Sequence, residues 1–355
     1  MCLKIADGNK DIAWINSTKA ICLFLVFLFH SEFYCDSRFF DLTSYYVRFY
    51  VSSFFFISGY LLFSKQLFSG LINLDAKHWW NHSGGGKTVL LNCLWRIIVP
   101  TIIFCTLIYF PKSLLRGEEF SINDYLIDSI LGKSSWFTWA LFWAEVLMVV
   151  AFLTRIKSIW FYFIFGIAMV IVEKFIKTNG IIFLNDEAMP WNYRQGLLAC
   201  VLLAYGGIYK KYEHHIDKVF TTKKGTIGLL LMTIAYVLIV YNKDSIPFYS
   251  SSLTAFSLSF ISIFILVGFL KLVKGNTFTN YIGRHSIGFF FICGGLPNLL
   301  SLLLLKYLPF SLGAFLPMVV SVISYVIAFF IVYALNEYMP FLFDLRILWN
   351  KNSKK

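Results

Sequence analysis

Ten runs of apolar residues follow one another along this 355-residue chain, at 12–33, 47–66, 89–110, 135–152, 159–175, 196–210, 225–241, 251–273, 281–305 and 315–338. About 20 apolar residues in a helix cross the hydrocarbon of a bilayer, so each run is long enough, or nearly so, to be one crossing. The fourth, fifth and sixth runs are the shortest, and their ends are the least defined. Composition leaves little room for another reading. Hydrophobic residues make up 58% of the chain and charged ones 14%, against about 45–50% and about 25% in soluble domains. A soluble globule exposes too large a polar shell to hide that much apolar side chain. The expected fold is all-α, a polytopic membrane bundle of about ten transmembrane helices. It forms one domain over 1–355, with no soluble domain attached.

Lys and Arg give the orientation. With the N-terminus inside and the ends alternating, 21 of the 31 basic residues fall on the inner side. That bias predicts N-in and C-in. The net charge of +12 then reflects topology and contact with anionic membrane lipids. A nucleic-acid partner would need a basic domain, and the sequence has none. Of the seven cysteines, only Cys35 falls near the outer face, so no disulfide framework is expected. The first run lacks a small-residue cleavage site and is expected to be retained.

Polar groups inside a bilayer are costly and mark candidate functional sites. The first run holds Lys19 and His30, 11 residues apart. At about 100° per residue they share one helical face, about 16 Å apart along the axis. Lys19 then lies toward the cytoplasm and His30 toward the outer face. Lys19 as a snorkelling flank charge and His30 as a helix-end group meeting interfacial water form the plain alternative.

Longer motifs favour chemistry. Lys19 and His30 in the first helix are followed by Ser53-Phe54-Phe55-Phe56-Ile57-Ser58-Gly59-Tyr60, then Arg96-Ile97-Ile98-Val99-Pro100 and Ser135-Trp136-Phe137-Thr138-Trp139-Ala140-Leu141-Phe142. Leu203-Ala204-Tyr205-Gly206-Gly207 and Ile282-Gly283-Arg284-His285-Ser286-Ile287-Gly288 complete the series. In order and spacing the chain resembles the acyltransferase-3 family, bacterial membrane acyltransferases that O-acetylate cell-surface glycans. The resemblance implies a bacterial plasma membrane protein that takes acetyl from acetyl-CoA, or another acyl-CoA, and gives it to a glycan or lipid-linked sugar. Its catalytic role passes to His30 and Lys19, and less directly to Arg96 and Ser58. The chain departs from the family at Asn16, Cys93, Phe290 and Cys293, where Asp, Arg, Tyr and His are usual; these positions bear on donor and acceptor identity.

The residue types suit the reaction. Imidazole is a base poised near neutral pH, so His30 would take a hydroxyl proton or, alternatively, carry the acyl group itself. Lys19, Arg96 and Arg284 in the inner half suit the donor's phosphates, although Arg284 also fits a flank charge. Ser58 lines a donor tunnel or, with Gly59, forms a small-residue helix contact. Glu145 should pair inward, with Arg96 as candidate partner. Trp136, Phe137 and Trp139 suit sugar stacking or interfacial anchoring, and Trp191 and Arg194 share that ambiguity. A transporter for lipid-linked sugars and a catalytically inactive member of a surface-glycan assembly are the rival readings. No matching pair of interrupted runs supports the first, and the retained His30 with the tryptophan-rich outer ends favours chemistry over both. Ser83–Thr88 lacks the first glycine of a phosphate loop. His78 and His82 have no third ligand, and His214-His215 lie in a basic loop, so no metal is expected.

Overall fold

The computed structural model describes residues 12–35, 42–43, 49–116, 121–180, 190–245, 252–307 and 313–348. Among them there are helices and turns and no strands. The helices are α1 (Ala13–Tyr34), α2 (Phe49–Phe63), α3 (Ala76–Asn81), α4 (Gly86–Cys93), α5 (Val99–Arg116), α6 (Ile122–Tyr125), α7 (Trp136–Phe152) and α8 (Ile159–Thr178). They continue with α9 (Tyr193–Phe220), α10 (Lys223–Tyr241), α11 (Ser252–Leu272), α12 (Thr277–Arg284), α13 (Ser286–Ile292), α14 (Gly295–Tyr307) and α15 (Leu316–Tyr338).

Eight helical stretches among the described residues are long and apolar enough to cross a membrane, and nine if α13 and α14 form one bent span. The run at 196–210 lies within α9, where Arg194 and Lys210 flank the apolar stretch. The chain is thus an all-α polytopic membrane bundle. The run expected at 89–110 begins earlier, at Gly86, and passes from α4 to α5 through a π-helical turn at Leu94–Ile98. The run at 281–305 is divided. Thr277–Arg284 forms a separate amphipathic helix, capped by Asn276 at one end and stopped at His285 at the other. The apolar part then bends by 45° between α13 and α14.

Small residues put α9 at the centre. A methyl group on Gly59 of α2 would fall 2.0 Å from the Leu203 carbonyl oxygen of α9, and one on Gly206 would fall 2.1 Å from that of Phe56. The α2 and α9 backbones therefore touch, a contact that glycine permits in an apolar solvent. Gly166 of α8 sits against Val201, and Gly196 of α9 against Trp143 and Ala140 of α7. Around this seam lies an aromatic core in which Phe56, Phe63, Phe152, Tyr162 and Tyr209 are buried.

Candidate active site

The first helix is buried over most of its length and opens near its end at Tyr34. Between Lys19 and His30, on their stripe, Cys22, Leu23 and Val26 are buried. Next to His30, within about 100° of it around the helix, Phe29 and Phe33 are exposed, Phe33 by 72%, so the stripe opens toward Tyr34. The Lys19–His30 stripe therefore faces into the bundle, and both groups are half-buried there. Contacts on α1 fix this rotation. Tyr325 donates to the Ala20 carbonyl at 2.6 Å, Asn16 Nδ2 donates to Asn280 Oδ1 at 3.3 Å, and Ser17 and Thr279 share a hydroxyl bond at 3.3 Å. Gly283 of α12 packs directly on the Asn16 backbone. Asn16 thus holds α1 to α12.

The His30 ring stacks on Tyr34 with centroids 6.2 Å apart and meets Phe29 edge-on at 5.5 Å. A methyl on Gly294, in the bend between α13 and α14, would lie 3.9 Å from His30 Cε1, and one on Gly295 would meet nothing within 4 Å. The glycine backbone of the bend therefore packs beside the imidazole with no side chain between them. No hydrogen bond among the described residues engages either ring nitrogen, so both remain available to a ligand. Glu32, a buried carboxyl bonded by Thr43, lies only two positions away. At about 100° per residue it points about 200° around the helix from His30 and does not orient it. An acidic residue inside the run at 12–33 was the signal for Glu32, which the motifs did not single out.

Glu145 does not pair with Arg96. Its carboxylate accepts from the Ser58 hydroxyl and, at 2.6 Å, from the Cys93 thiol. Ser58, Cys93 and Glu145 thus tie α2, α4 and α7 together through neutral donors. Arg96 lies in the π-helical turn and donates through Nε to Asp344 Oδ2 at 3.1 Å; its side chain is 48% exposed. The expected Glu145–Arg96 pair is thus replaced by an Arg96 partner 248 positions away. Burial alone would raise the Asp344 carboxyl, but hydrogen bonds from Arg346 and Arg96 outweigh it and hold the group below the usual carboxylate range. Arg284 ends α12 with its side chain exposed.

Trp136, Phe137 and Trp139 do not form one platform. Trp136 is exposed, whereas Phe137 is buried against Phe54, Phe55 and Phe290. Trp139 turns the other way onto Trp191, with centroids 5.8 Å apart. Its own indole nitrogen is buried and has no hydrogen-bond partner among the described residues. Trp191 and Asn192 adopt left-handed backbone angles, φ 55° and 48°. They are held there by bonds to the 130–132 segment: Trp191 Nε1 to the Ile130 carbonyl at 3.1 Å and Asn192 Nδ2 to that of Gly132 at 2.8 Å. Arg194 forms a buried pair with Glu173 at 2.8 Å, which is a structural role. Among the described residues no group of three or more His, Cys, Asp or Glu is arranged to hold a metal. His78 pairs instead with Asp75, and His82 accepts from Gly84.

A family model described as an acyltransferase domain, that of acyltransferase-3, matches residues 12–337. The chain belongs to the acyltransferase-3 family. The match begins just before α1 and ends within the last residues of α15, so the whole helical bundle is the family domain. Searches of curated proteins and of solved structures found no match. Membership accounts for an acyltransferase embedded in a membrane, and Lys19 and His30 lie on the inward stripe of its first helix.

Proposed function

We propose that this acyltransferase moves acetyl from cytoplasmic acetyl-CoA, or another acyl-CoA, to a hydroxyl of a cell-surface or lipid-linked glycan, with His30 as general base. The observation that carries the reading is an inward imidazole, beside the glycine bend at Gly294, that no hydrogen bond among the described residues engages at either nitrogen. As the acceptor oxygen attacks the thioester carbonyl, the imidazole takes its proton. The new C–O bond forms and the C–S bond breaks, and the imidazolium returns the proton to the departing sulfur. Lys19 lies about 16 Å from His30 along the axis, a distance suited to a donor reaching in from one side while the acceptor meets it from the other.

With N-in topology, in a bacterial plasma membrane, Lys19, Arg96 and Arg284 face the cytoplasmic half. Arg96 and Arg284 are accessible there and suit the phosphates of the donor. Ser58 would line the donor's path, and Trp136, exposed where the glycan would arrive, is the better stacking candidate of the three aromatics. A transporter would call for a second broken span matching α13–α14 in the other half. Among the described residues that pair is the single bent one.

The reading is tested by incubating membranes carrying the protein with acetyl-labelled acetyl-CoA and recovering the glycan fraction. Label held as a base-labile ester, dependent on the protein, is the expected result. Label that never leaves the donor, at full protein abundance and with total membrane glycan present, counts against acyl transfer.

A further inference from the structure

A cavity of about 200 Å³ lies between α2, α10 and α11, lined by Ser52, Tyr236, Ala255, Leu258, Ser259 and Ser262. Four of these six side chains carry a hydroxyl and none carries a charge. Such a lining is unexpected in an apolar bundle, where an unbonded hydroxyl is costly. Ser259 and Ser262 meet that cost within their own helix, donating to the Ala255 carbonyl at 2.9 Å and the Leu258 carbonyl at 2.6 Å. Their lone pairs are what remain for the cavity, so both serines act there as acceptors. Ser52 has no hydrogen bond among the described residues and can donate as well as accept.

This chemistry selects a ligand. With no cation in the wall, phosphate, sulfate and carboxylate are poorly served; with no anion, amines are too. A group that brings its own hydroxyl hydrogens fits. The volume far exceeds the roughly 10–15 Å³ that one water requires, and it matches a glycerol or a single sugar ring.

The route of entry follows from α10. Val237 and Ile239, within about 100° of Tyr236 around that helix, are exposed and bring an apolar surface to the bilayer beside the cavity. Ser52, Ala255 and Ser259 keep part of their surface open, whereas Tyr236, Leu258 and Ser262 form the closed wall. A ligand can therefore come sideways out of the membrane, its tails left along α10. We infer that the cavity between α2, α10 and α11 binds the uncharged, hydroxyl-bearing headgroup of a membrane lipid, a neutral glycolipid. The site is separate from His30, and the inference stands whether or not acyl transfer is the activity.

The test uses the full-length protein in phosphatidylcholine nanodiscs and a glucosyl diacylglycerol with a photoreactive acyl chain. Crosslinks should map to α10 and α11. Unlabelled glucosyl diacylglycerol should compete, and equal concentrations of phosphatidylglycerol or methyl glucoside should not. Ser259→Leu, which fills the mouth, should cut the yield at least about tenfold. Ser52→Ala, which removes one hydroxyl and should leave the fold unchanged, should cut it about threefold, the value of one hydrogen bond. Crosslinks mapping elsewhere would overturn the site. Equal competition by phosphatidylglycerol would overturn the neutral headgroup, and equal competition by methyl glucoside the lipid. Unchanged yield in folded Ser52→Ala and Ser259→Leu proteins would remove the role of the hydroxyl lining.

Discussion

At the end of the bundle that carries Trp14, ionisable side chains are matched to one another. Glu213 accepts from Lys210, Lys271 and the Tyr60 hydroxyl, and Lys271 also reaches Asp217 at 2.7 Å. The Lys271 ammonium lies over the rings of Trp14 and Tyr209 as well. Along the inward stripe of α1 the pattern is reversed: Lys19 and His30 face the bundle and no hydrogen bond among the described residues engages either. The contrast separates two uses of polarity in a membrane. Charges that meet counter-charges join helices, and their loss should be felt as instability. Polar groups left without partners contribute little to the fold and are free for a substrate.

The strongest way to break this contrast is to remove a paired charge and watch activity. Arg194→Ala would leave Glu173 buried and uncompensated, a change that typically costs about 3–5 kcal/mol. Thermal stability in detergent should fall markedly, transfer per folded molecule should hold, and Glu173→Ala added on top should restore part of the loss. A drop in transfer per folded molecule would place the pair in the reaction. Next in size, Lys271→Ala removes two charge-assisted bonds from Glu213 and Asp217, and should cost about 1.5–3 kcal/mol, again in stability.

A smaller effect distinguishes the Asp344 cluster. Its carboxyl is held below the usual range when folded, so the pair with Arg96 and Arg346 contributes stability above the unfolded carboxylate pKa. That stability is lost as pH falls through the lower folded value. Solvent screening limits it to at most about 1 kcal/mol. An acid-unfolding curve of Asp344→Asn should lack that part of the pH dependence present in the unaltered protein. Identical curves would remove the ion pair from the account.

Much of the fold was readable in the apolar runs, because bilayer thickness sets helix length whatever the neighbours do. The shared face of Lys19 and His30 was readable for the same kind of reason, a fixed angle per residue. What could not be read depended on partners far along the chain. Arg96 meets Asp344 across 248 positions, and nothing local to the Arg96 motif announces it. Glu145 finds Cys93 and Ser58, three helices brought together by packing. The bend beside His30 did leave a signal, Gly294-Gly295-Leu296-Pro297 inside the run at 281–305, which length alone passed over. The three aromatics near 136–139 were grouped by sequence proximity, yet neighbours on a helix diverge by about 100° per residue.

The central claim is that the inward imidazole of α1, which no hydrogen bond among the described residues engages, does the chemistry. Its most direct test is acetyl transfer from labelled acetyl-CoA, measured per folded molecule for the unaltered protein, His30→Ala and His30→Gln at matched membrane abundance. Both variants should insert and melt like the unaltered protein, and both should lose about 10²–10⁴ in rate, since Gln keeps the size and hydrogen bonding of His but not its basicity. Transfer that survives in both variants would contradict the account.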